Sequence, residues 1–205
     1  MWYCIIVAAL VGYMLGNLNG AVCMSALMND DVRSHGSGNA GLTNFIRNYG
    51  AARALNVVLI DAGKAVLACV AGGLLLDVYG KFLMGAAIGG LAVMLGHTFP
   101  LLLGFRGGKG ILSGLFVAAV VDWRIALIIL AVFALAYFAT GYVSLGSVLA
   151  AVAFAAGFVI FHRQNVVIMI CGVAMGVLAL FMHRGNIARL LKGEERKTNL
   201  FQKKK

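Results

Sequence analysis

A glycine-rich polar segment at residues 31–47 is the first part of this sequence that could bind an anion. It reads DVRSHGSGNAGLTNFIR, and Gly36, Gly38 and Gly41 let the backbone curl so that several N–H groups point into one concavity. No predicted strand precedes these glycines, which excludes a dinucleotide-binding βαβ unit. The segment therefore predicts an anion-binding nest, with a flexible polar loop as the alternative. Its donor side chains are Ser37, Asn39, Thr43, Asn44 and Arg47.

A second cluster lies at residues 96–110, where GHTFP is followed closely by FRGGKG. Gly107, Gly108 and Gly110 surround Lys109 with pliable backbone, which favours a second phosphate-binding loop. The G-x-x-x-x-G-K-S/T pattern of nucleotide-binding P-loops is absent here. His97 has two open interpretations: a structural histidine at the end of an apolar segment, or a residue of the same site.

A third cluster, HRGNIARLLKGEE, follows the last apolar segment at residues 183–195. His183, Asn186 and Arg189 recur at helical spacing and can share one helix face. The lysines have a simpler interpretation, because basic residues commonly mark the cytoplasmic end of a membrane span.

The chemistry that the sequence lacks narrows the reaction type. There is no G-x-S-x-G hydrolase elbow, and neither His35 nor His97 begins an H-x-x-x-x-D acyltransferase motif. The paired acids at 30–31 and 194–195 lack metal-ligand spacing. We therefore expect no metal and no cofactor, and we favour direct transfer between two bound substrates over a covalent enzyme intermediate.

The composition is that of a membrane protein. Of 205 residues, 62% are hydrophobic and 12% are charged, against about 25% charged in soluble domains. The 27 glycines suit helices that pack closely in lipid. The net charge of +10 indicates basic cytoplasmic loops and an anionic lipid or substrate rather than nucleic acid. Because Met1 to Gly12 lack Lys and Arg, the first segment predicts a retained span rather than a cleaved signal peptide.

Five segments are long and apolar enough to span a bilayer, and the stretch 110–140 is ambiguous. It predicts two short spans, 110–121 and 124–140, separated at Asp122, or one long span with charges near its middle. A helix over 110–121 would be only about 18 Å long, so it must be sheltered by neighbours or be re-entrant. The five clear segments are 2–28, 53–77, 81–103, 141–161 and 164–182.

The distribution of basic residues favours seven spans. With seven, 13 Lys and Arg lie on one side and 3 on the other, whereas six spans divide them 6 against 9. The positive-inside rule then predicts an all-α membrane protein with its N-terminus outside and its C-terminus in the cytoplasm. All three polar clusters open on the cytoplasmic face in this arrangement, and they predict one basic pocket beside a groove for an acyl chain. Residues 1–205 form a single domain, of which 193–205 are predicted to be a basic, mobile tail.

Two ionisable residues, Asp61 and Lys64, fall inside the second predicted span. At a spacing of three residues they share a helix face and can pair. Such a pair is either a functional group that faces a polar interior or a neutralised structural pair.

The motifs resemble those of the bacterial acyl-phosphate:glycerol-3-phosphate acyltransferase (PlsY) family. The resemblance rests on the three clusters at 31–47, 96–110 and 183–195, together with YVSLGS at 142–147, which appear in family order and cover about a quarter of the chain. It implies transfer of a fatty acyl group from acyl phosphate to the 1-hydroxyl of sn-glycerol 3-phosphate, giving lysophosphatidate and inorganic phosphate. This is the first acylation of phospholipid synthesis, at the cytoplasmic face of the bacterial inner membrane. The implied partners are the two substrates, membrane lipids and the separate phosphate acyltransferase that makes acyl phosphate.

The resemblance also implies roles for individual residues. Ser37 and Asn39, with the glycine nest at 36–41, would bind acyl phosphate. Arg47, Lys109 and His183 would hold glycerol 3-phosphate. The proton acceptor is left open between His97 and a substrate phosphate oxygen. Supporting substrate contacts are assigned to Gly36, Gly38, Gly41, Thr43, Asn44, Gly107, Gly108, Gly110, Ser144, Ser147 and Asn186.

The chain departs from the family pattern at residues 16–20, at Ala65, and at Leu112 and Ser113, which puts the acyl-chain preference in question. The main rival function is a phosphate or other anion transporter, which also needs basic nests in a membrane. A transporter predicts polar residues along several spans and similar halves, and this sequence has neither.

Overall fold

The computed structural model describes residues 1–198, and every regular element among them is helical. Long apolar segments adopt helices because a helix satisfies its own backbone hydrogen bonds in lipid. Short 3₁₀ turns occur at Val32–Ser34 and Leu101–Leu103. The α-helices are α1 (Trp2–Gly16), α2 (Gly20–Ala26), α3 (Leu42–Tyr49), α4 (Ala51–Asp77), α5 (Phe82–Thr98), α6 (Ile111–Val121), α7 (Trp123–Thr140), α8 (Val143–His162), α9 (Val166–Met182) and α10 (Arg184–Leu191).

Five apolar segments of residues 1–198 are long enough to cross a bilayer. A sixth crossing results if α9 and α10, bent by 55° at their junction, count as one span. Helix α6 is apolar but shorter than a full span. The prediction of an all-α, multi-pass membrane protein is thereby confirmed, while the number of seven spans and the sidedness of the termini stay predictions. These five segments are Trp2–Ala26, Ala51–Asp77, Phe82–Leu103, Trp123–Thr140 and Val143–His162. The predicted segment 164–182 is not among them, because α9 reaches the length of a span only together with α10.

The first predicted span, 2–28, is not one continuous helix. It breaks between α1 and α2, where two buried asparagines bond outside their own helix. The Oδ1 of Asn17 accepts from the backbone N–H of Leu102 at 3.0 Å, and the Nδ2 of Asn19 donates to the carbonyl of Ala40 at 3.0 Å. Asn19 also caps α2, since its Oδ1 accepts from the N–H of Val22. At this break the first span is hydrogen-bonded to the loops that contain Ala40 and Leu102.

The ambiguous stretch 110–140 forms two helices, so the alternative of one long span is wrong. Helix α6 ends at Val121 and α7 begins at Trp123. Asp122 separates them because its carboxylate caps α7, accepting from the N–H of Arg124 at 3.1 Å. The same carboxylate accepts from the Arg124 guanidinium and bonds the Nε2 of His162 at 3.1 Å, which fixes the junction to the end of α8.

Small residues bring the longest helices together. Helices α1, α4 and α5 pack on one another, and a Cβ placed on Gly85 would overlap the carbonyl of Gly72. A Cβ on Gly96 would likewise overlap the carbonyl of Tyr13. The backbones therefore approach closely enough that only glycine fits, as is common for helices that pack in lipid.

The start of the C-terminal tail folds back onto the helices, which differs from the predicted mobile tail. Glu195 and Thr198 are buried, and the N–H of Thr198 donates to the carbonyl of Gly141 at 3.2 Å. The hydroxyl of Tyr137 donates to the carbonyl of Thr198 at 3.0 Å. Charge pairing and these hydrogen bonds hold residues 194–198 in place; the remainder of the predicted tail, 199–205, lies outside the described residues.

Candidate active site

The three polar clusters, which are far apart in the sequence, line one cavity of about 340 Å³. Helix α3 and the loop before it form one side, and the loop between α5 and α6 and helix α10 form the others. The six residues to which the resemblance gives individual roles all line the cavity: Ser37, Asn39, Arg47, His97, Lys109 and His183. Of the predicted substrate contacts, those that line it are Gly41, Thr43, Asn44, Gly110, Ser144, Ser147 and Asn186.

Asn44 organises the loop of the first cluster. Its Oδ1 accepts from the N–H of Ser37 at 3.0 Å, and its Nδ2 donates to the carbonyls of Val32, His35 and Asn39 at 3.0–3.1 Å. The amide of this buried side chain is thus used to shape the loop. Asn44 therefore holds the loop that bears Ser37 and Asn39, and because it also lines the cavity its role as a direct substrate contact stays a prediction.

The start of helix α3 faces the cavity. Gly41, Leu42 and Thr43 line it, and α3 begins at Leu42. The first N–H groups of a helix have no partner within the helix and carry a partial positive charge. Together with the loop N–H groups, this helix end can bind a phosphate.

Four predicted glycines do not line the cavity. Gly36 and Gly38 lie in the first loop with positive φ angles of 60° and 69°, a conformation that glycine adopts without strain. Gly107 and Gly108 pack against His97, where a Cβ on Gly108 would overlap the imidazole Nε2. The N–H of Gly108 donates to the carbonyl of His97 at 3.0 Å, so these two glycines let the loop pass directly beside the histidine.

Lys109 is half-buried near other cations. Its Nζ contacts the Oδ1 of Asn186. Burial, and the positive charges of Arg189 and Arg47 nearby, lower the pKa of Lys109 to about 8. A lysine in such surroundings gains from an added anion, because the anion neutralises the excess positive charge.

Residues near the C-terminus complete the polar wall. The carboxylate of Glu195 accepts from the Nε of Arg189 at 2.7 Å and from the Nδ2 of Asn186 at 2.9 Å. The Nε of Arg47 donates to the hydroxyl of Thr198 at 2.9 Å. Sequence reasoning missed Glu195, because only the fold brings the residues after α10 back to the cavity.

His97 lines the cavity together with Asp61, one member of the predicted pair. The Nζ of Lys64 is 2.8 Å from the Oδ1 of Asp61 and 2.7 Å from the Nδ1 of His97, and all three side chains are buried. His183, from the other side, bonds the carbonyl of Ala179 through its Nδ1 at 2.8 Å. Among residues 1–198, no group of three or more His, Cys, Asp or Glu side chains is placed to hold a metal ion.

An apolar wall adjoins the polar residues, and sequence reasoning did not name its members. Leu112, a departure from the family pattern, is one of them. A second cavity of about 20 Å³ shares Gly110, Ile111, Ile129 and Ala150 with the first. The Oγ of Ser144 is buried at this wall without a hydrogen-bond partner in the described chain, whereas that of Ser147 donates to the carbonyl of Val143. The wall comprises Leu112, Leu115, Ile129, Leu130, Phe133, Val143 and Ala150.

Comparison with known proteins gives a consistent result. The sequence model described as glycerol-3-phosphate acyltransferase matches residues 6–193. A glycerol-3-phosphate acyltransferase of Finegoldia magna is 37% identical over 194 residues, which is 94% of this chain and 96% of that protein. The fold is similar to crystal structures of PlsY, an integral membrane glycerol 3-phosphate acyltransferase. Its glycerol 3-phosphate form superposes with a TM-score of 0.84 at 29% identity, covering 97% of this chain and 99% of that one. Its lysophosphatidic acid form gives 0.80 at 28% identity, covering 96% of each.

Proposed function

Because this chain belongs to the glycerol-3-phosphate acyltransferase family, we propose that it acylates the 1-hydroxyl of sn-glycerol 3-phosphate with acyl phosphate as the donor. The products are 1-acyl-glycerol 3-phosphate and inorganic phosphate, and the reaction is the first acylation of phospholipid synthesis. One observation carries the proposal: the cavity joins a cationic polar wall to an apolar wall. Two phosphate-bearing substrates, one with a fatty chain, need both surfaces.

In this proposal the two phosphates bind at different sides of the cavity. Arg47, Lys109 and His183 hold glycerol 3-phosphate, with support from Asn186 and the unpartnered hydroxyl of Ser144. The first loop, through Ser37 and Asn39, and the start of α3 hold the phosphate of the donor. The acyl chain lies along the apolar wall between α6, α7 and α8.

The transfer is direct. The 1-hydroxyl oxygen attacks the acyl carbonyl carbon, and the bond between that carbon and the phosphate oxygen breaks. The hydroxyl proton ends on the released phosphate, so atoms and charge balance without a covalent enzyme intermediate and without a cofactor. Cationic side chains and N–H groups stabilise the charge that grows on the carbonyl and on the leaving phosphate. Holding both substrates together supplies a further part of the acceleration.

The whole chain acts as one domain in a bacterial inner membrane, with seven crossings and the cavity open to the cytoplasm. The distribution of Lys and Arg supports this orientation. Helix α6 makes the seventh crossing as a short segment sheltered by α4, α5 and α7, against which it packs. The enzyme that makes acyl phosphate is the partner that this cytoplasmic site requires.

The donor can be tested with purified protein in lipid vesicles. Palmitoyl phosphate and glycerol 3-phosphate should yield lysophosphatidate and phosphate in equal amounts, without metal or coenzyme A. Palmitoyl-CoA in place of palmitoyl phosphate should give no product above the protein-free control. Equal rates with palmitoyl-CoA would contradict the donor assignment. No product with either donor, together with phosphate flux into vesicles, would favour a transporter instead.

A further inference from the structure

A chain of buried contacts joins His97 to Lys64 and to Asp61, which also lines the cavity. The Nζ of Lys64 is 2.8 Å from the Oδ1 of Asp61, 2.6 Å from the carbonyl of Leu18 and 2.7 Å from the Nδ1 of His97. An ammonium group carries three N–H donors, and here each has an acceptor within hydrogen-bond distance. The ammonium is therefore saturated, and one of its donors is directed at the histidine ring.

Lys64 must keep its proton for this arrangement to persist. Asp61 is 1% exposed, and its Oδ1 also accepts from the N–H of Gly20 at 3.1 Å, whereas the Nδ1 of His97 is 3.7 Å away, beyond hydrogen-bond distance. Loss of the Lys64 charge would leave a buried carboxylate without a counter-ion, which is strongly unfavourable. The pair thus holds a charged donor against His97.

The tautomer of His97 follows from this contact. A neutral imidazole has one N–H, and a nitrogen that accepts a hydrogen bond does not carry it. Since Nδ1 accepts from Lys64, the proton lies on Nε2. That nitrogen lies against Gly108, beside the cavity, and no described residue forms a hydrogen bond with it.

We propose that Asp61 and Lys64 are positioning residues that hold His97 as the neutral Nε2–H tautomer, so that His97 donates a hydrogen bond to the reacting acyl phosphate and does not accept the substrate proton. This role rests on the proposed function. The Nε2–H is directed at an oxygen of the donor that gains negative charge as the carbon–oxygen bond breaks. The hydroxyl proton goes to the released phosphate, and His97 begins and ends the reaction with the same proton.

His183 has the opposite arrangement and serves as an internal comparison. Its Nδ1 lies 2.8 Å from the carbonyl of Ala179, an acceptor, so the proton of neutral His183 lies on Nδ1. Its Nε2 is then free to accept a hydrogen bond. The two histidines of one cavity therefore have different roles: His97 donates and His183 accepts.

Nitrogen NMR of ¹⁵N-histidine-labelled protein in lipid nanodiscs tests the tautomers directly. We expect a protonated Nε2 and an unprotonated Nδ1 for His97, and the reverse for His183, near neutral pH. Spectra of His97→Gln and His183→Gln assign the signals. An unprotonated Nε2 on His97 would overturn the proposal. This measurement needs no turnover, so it is independent of whether acyl phosphate proves to be the donor.

Substitutions then separate a donor from a base. Glutamine presents an N–H near the position of the histidine Nε2, so His97→Gln should keep the rate of transfer to within about tenfold, the value of one hydrogen bond. His97→Ala, which removes the donor, should lower the rate by about 10²–10³-fold. Equal losses in the two variants would contradict donation, because a proton acceptor is lost in both.

The positioning role has its own test. Asp61→Leu with Lys64→Met replaces the buried ion pair by apolar groups, an exchange that proteins often tolerate. The double replacement should lower kcat in the protein with His97, with little change in KM for glycerol 3-phosphate. It should lower kcat much less in the His97→Gln background, because glutamine has no tautomer that must be held. The same loss of kcat in both backgrounds would show that the pair is only structural.

Discussion

Lys109 and Asn186 are hydrogen-bonded to each other, Nζ to Oδ1, and this contact joins the loop after α5 to helix α10. Asn186 in turn donates to Glu195, which also accepts from Arg189. Lys109 is therefore positioned by residues from a different motif. The cationic wall of the cavity depends on this connection.

The charge of Lys109 predicts a pH dependence. Its pKa of about 8 lies below the ordinary 10.5, so the free protein loses this charge as the pH rises through about 8. The KM for glycerol 3-phosphate should be lowest below that pH and should rise above it. Because arginine stays charged at all these pH values, the KM of Lys109→Arg should not rise in this way. A wild-type KM that is constant between pH ~7 and ~9.5, a range that brackets the shifted lysine pKa, would contradict the prediction.

Glu195 should be needed to position Arg189 and Asn186 in the polar wall of the cavity. Glu195→Ala removes the acceptor of Arg189 and Asn186, and the loss of hydrogen bonds to charged groups should destabilise the protein by about 1–3 kcal/mol. The KM for glycerol 3-phosphate should rise as Lys109 and Arg47 lose their arrangement. Glu194→Ala is the matched control, since Glu194 is adjacent to Glu195 in the chain but exposed. The unfolding temperature and the KM of this variant should stay near those of the wild type. Equal effects of the two substitutions would count against this role.

Asn44 should act through the loop that it shapes. Asn44→Ala removes the acceptor of the Ser37 N–H and a donor to three carbonyls, so transfer should fall strongly and stability by about 1–3 kcal/mol. Asn44→Asp keeps the acceptor but loses the donors, and its activity should lie between that of the wild type and that of Asn44→Ala. Initial rates at varied palmitoyl phosphate would show the loss mainly in the KM for the donor. A loss confined to the KM for glycerol 3-phosphate would place the loop at the other substrate.

Acyl-chain length should be limited where the two cavities meet. Ala150 lines both, so Ala150→Leu should raise the KM for palmitoyl phosphate more than that for octanoyl phosphate. Val152, on the same helix, is half exposed on the outer surface, and Val152→Leu should change neither. Competition between the two donors measures the preference. An unchanged preference in the Ala150 variant would place the acyl chain elsewhere.

The sequence predicted most of the polar site because its chemistry is carried by short motifs. The donors of 31–47, the lysine loop and His183 with Asn186 are recognisable locally, and residues of all three groups line the cavity. The hydrogen bonds by which Asn44 shapes the loop could not be predicted, since a loop-holding amide and a ligand amide look alike in sequence. Gly107 and Gly108 serve the close approach to His97, which only the packed structure reveals.

What the sequence could not provide depends on contacts between distant segments. The break at Asn17 requires the N–H of Leu102, and the order in residues 194–198 requires Tyr137, Gly141 and Arg47. The apolar wall is drawn from helices that are apolar on all sides, so periodicity could not distinguish its residues from those that face lipid. The separation of α6 from α7 was one of two open alternatives, and the cap by Asp122 decides it.

The proposed function places acyl transfer to glycerol 3-phosphate in the cavity around Lys109. Its most direct test is single-turnover transfer from radiolabelled palmitoyl phosphate by Lys109→Ala in lipid vesicles, with the exposed Lys192→Ala as control. We expect a loss of at least about 100-fold for Lys109→Ala, as for removal of one charge-stabilising group, and near wild-type transfer by the control. Membrane insertion should be the same in both. Wild-type transfer by correctly inserted Lys109→Ala would show that Lys109 takes no part in the reaction.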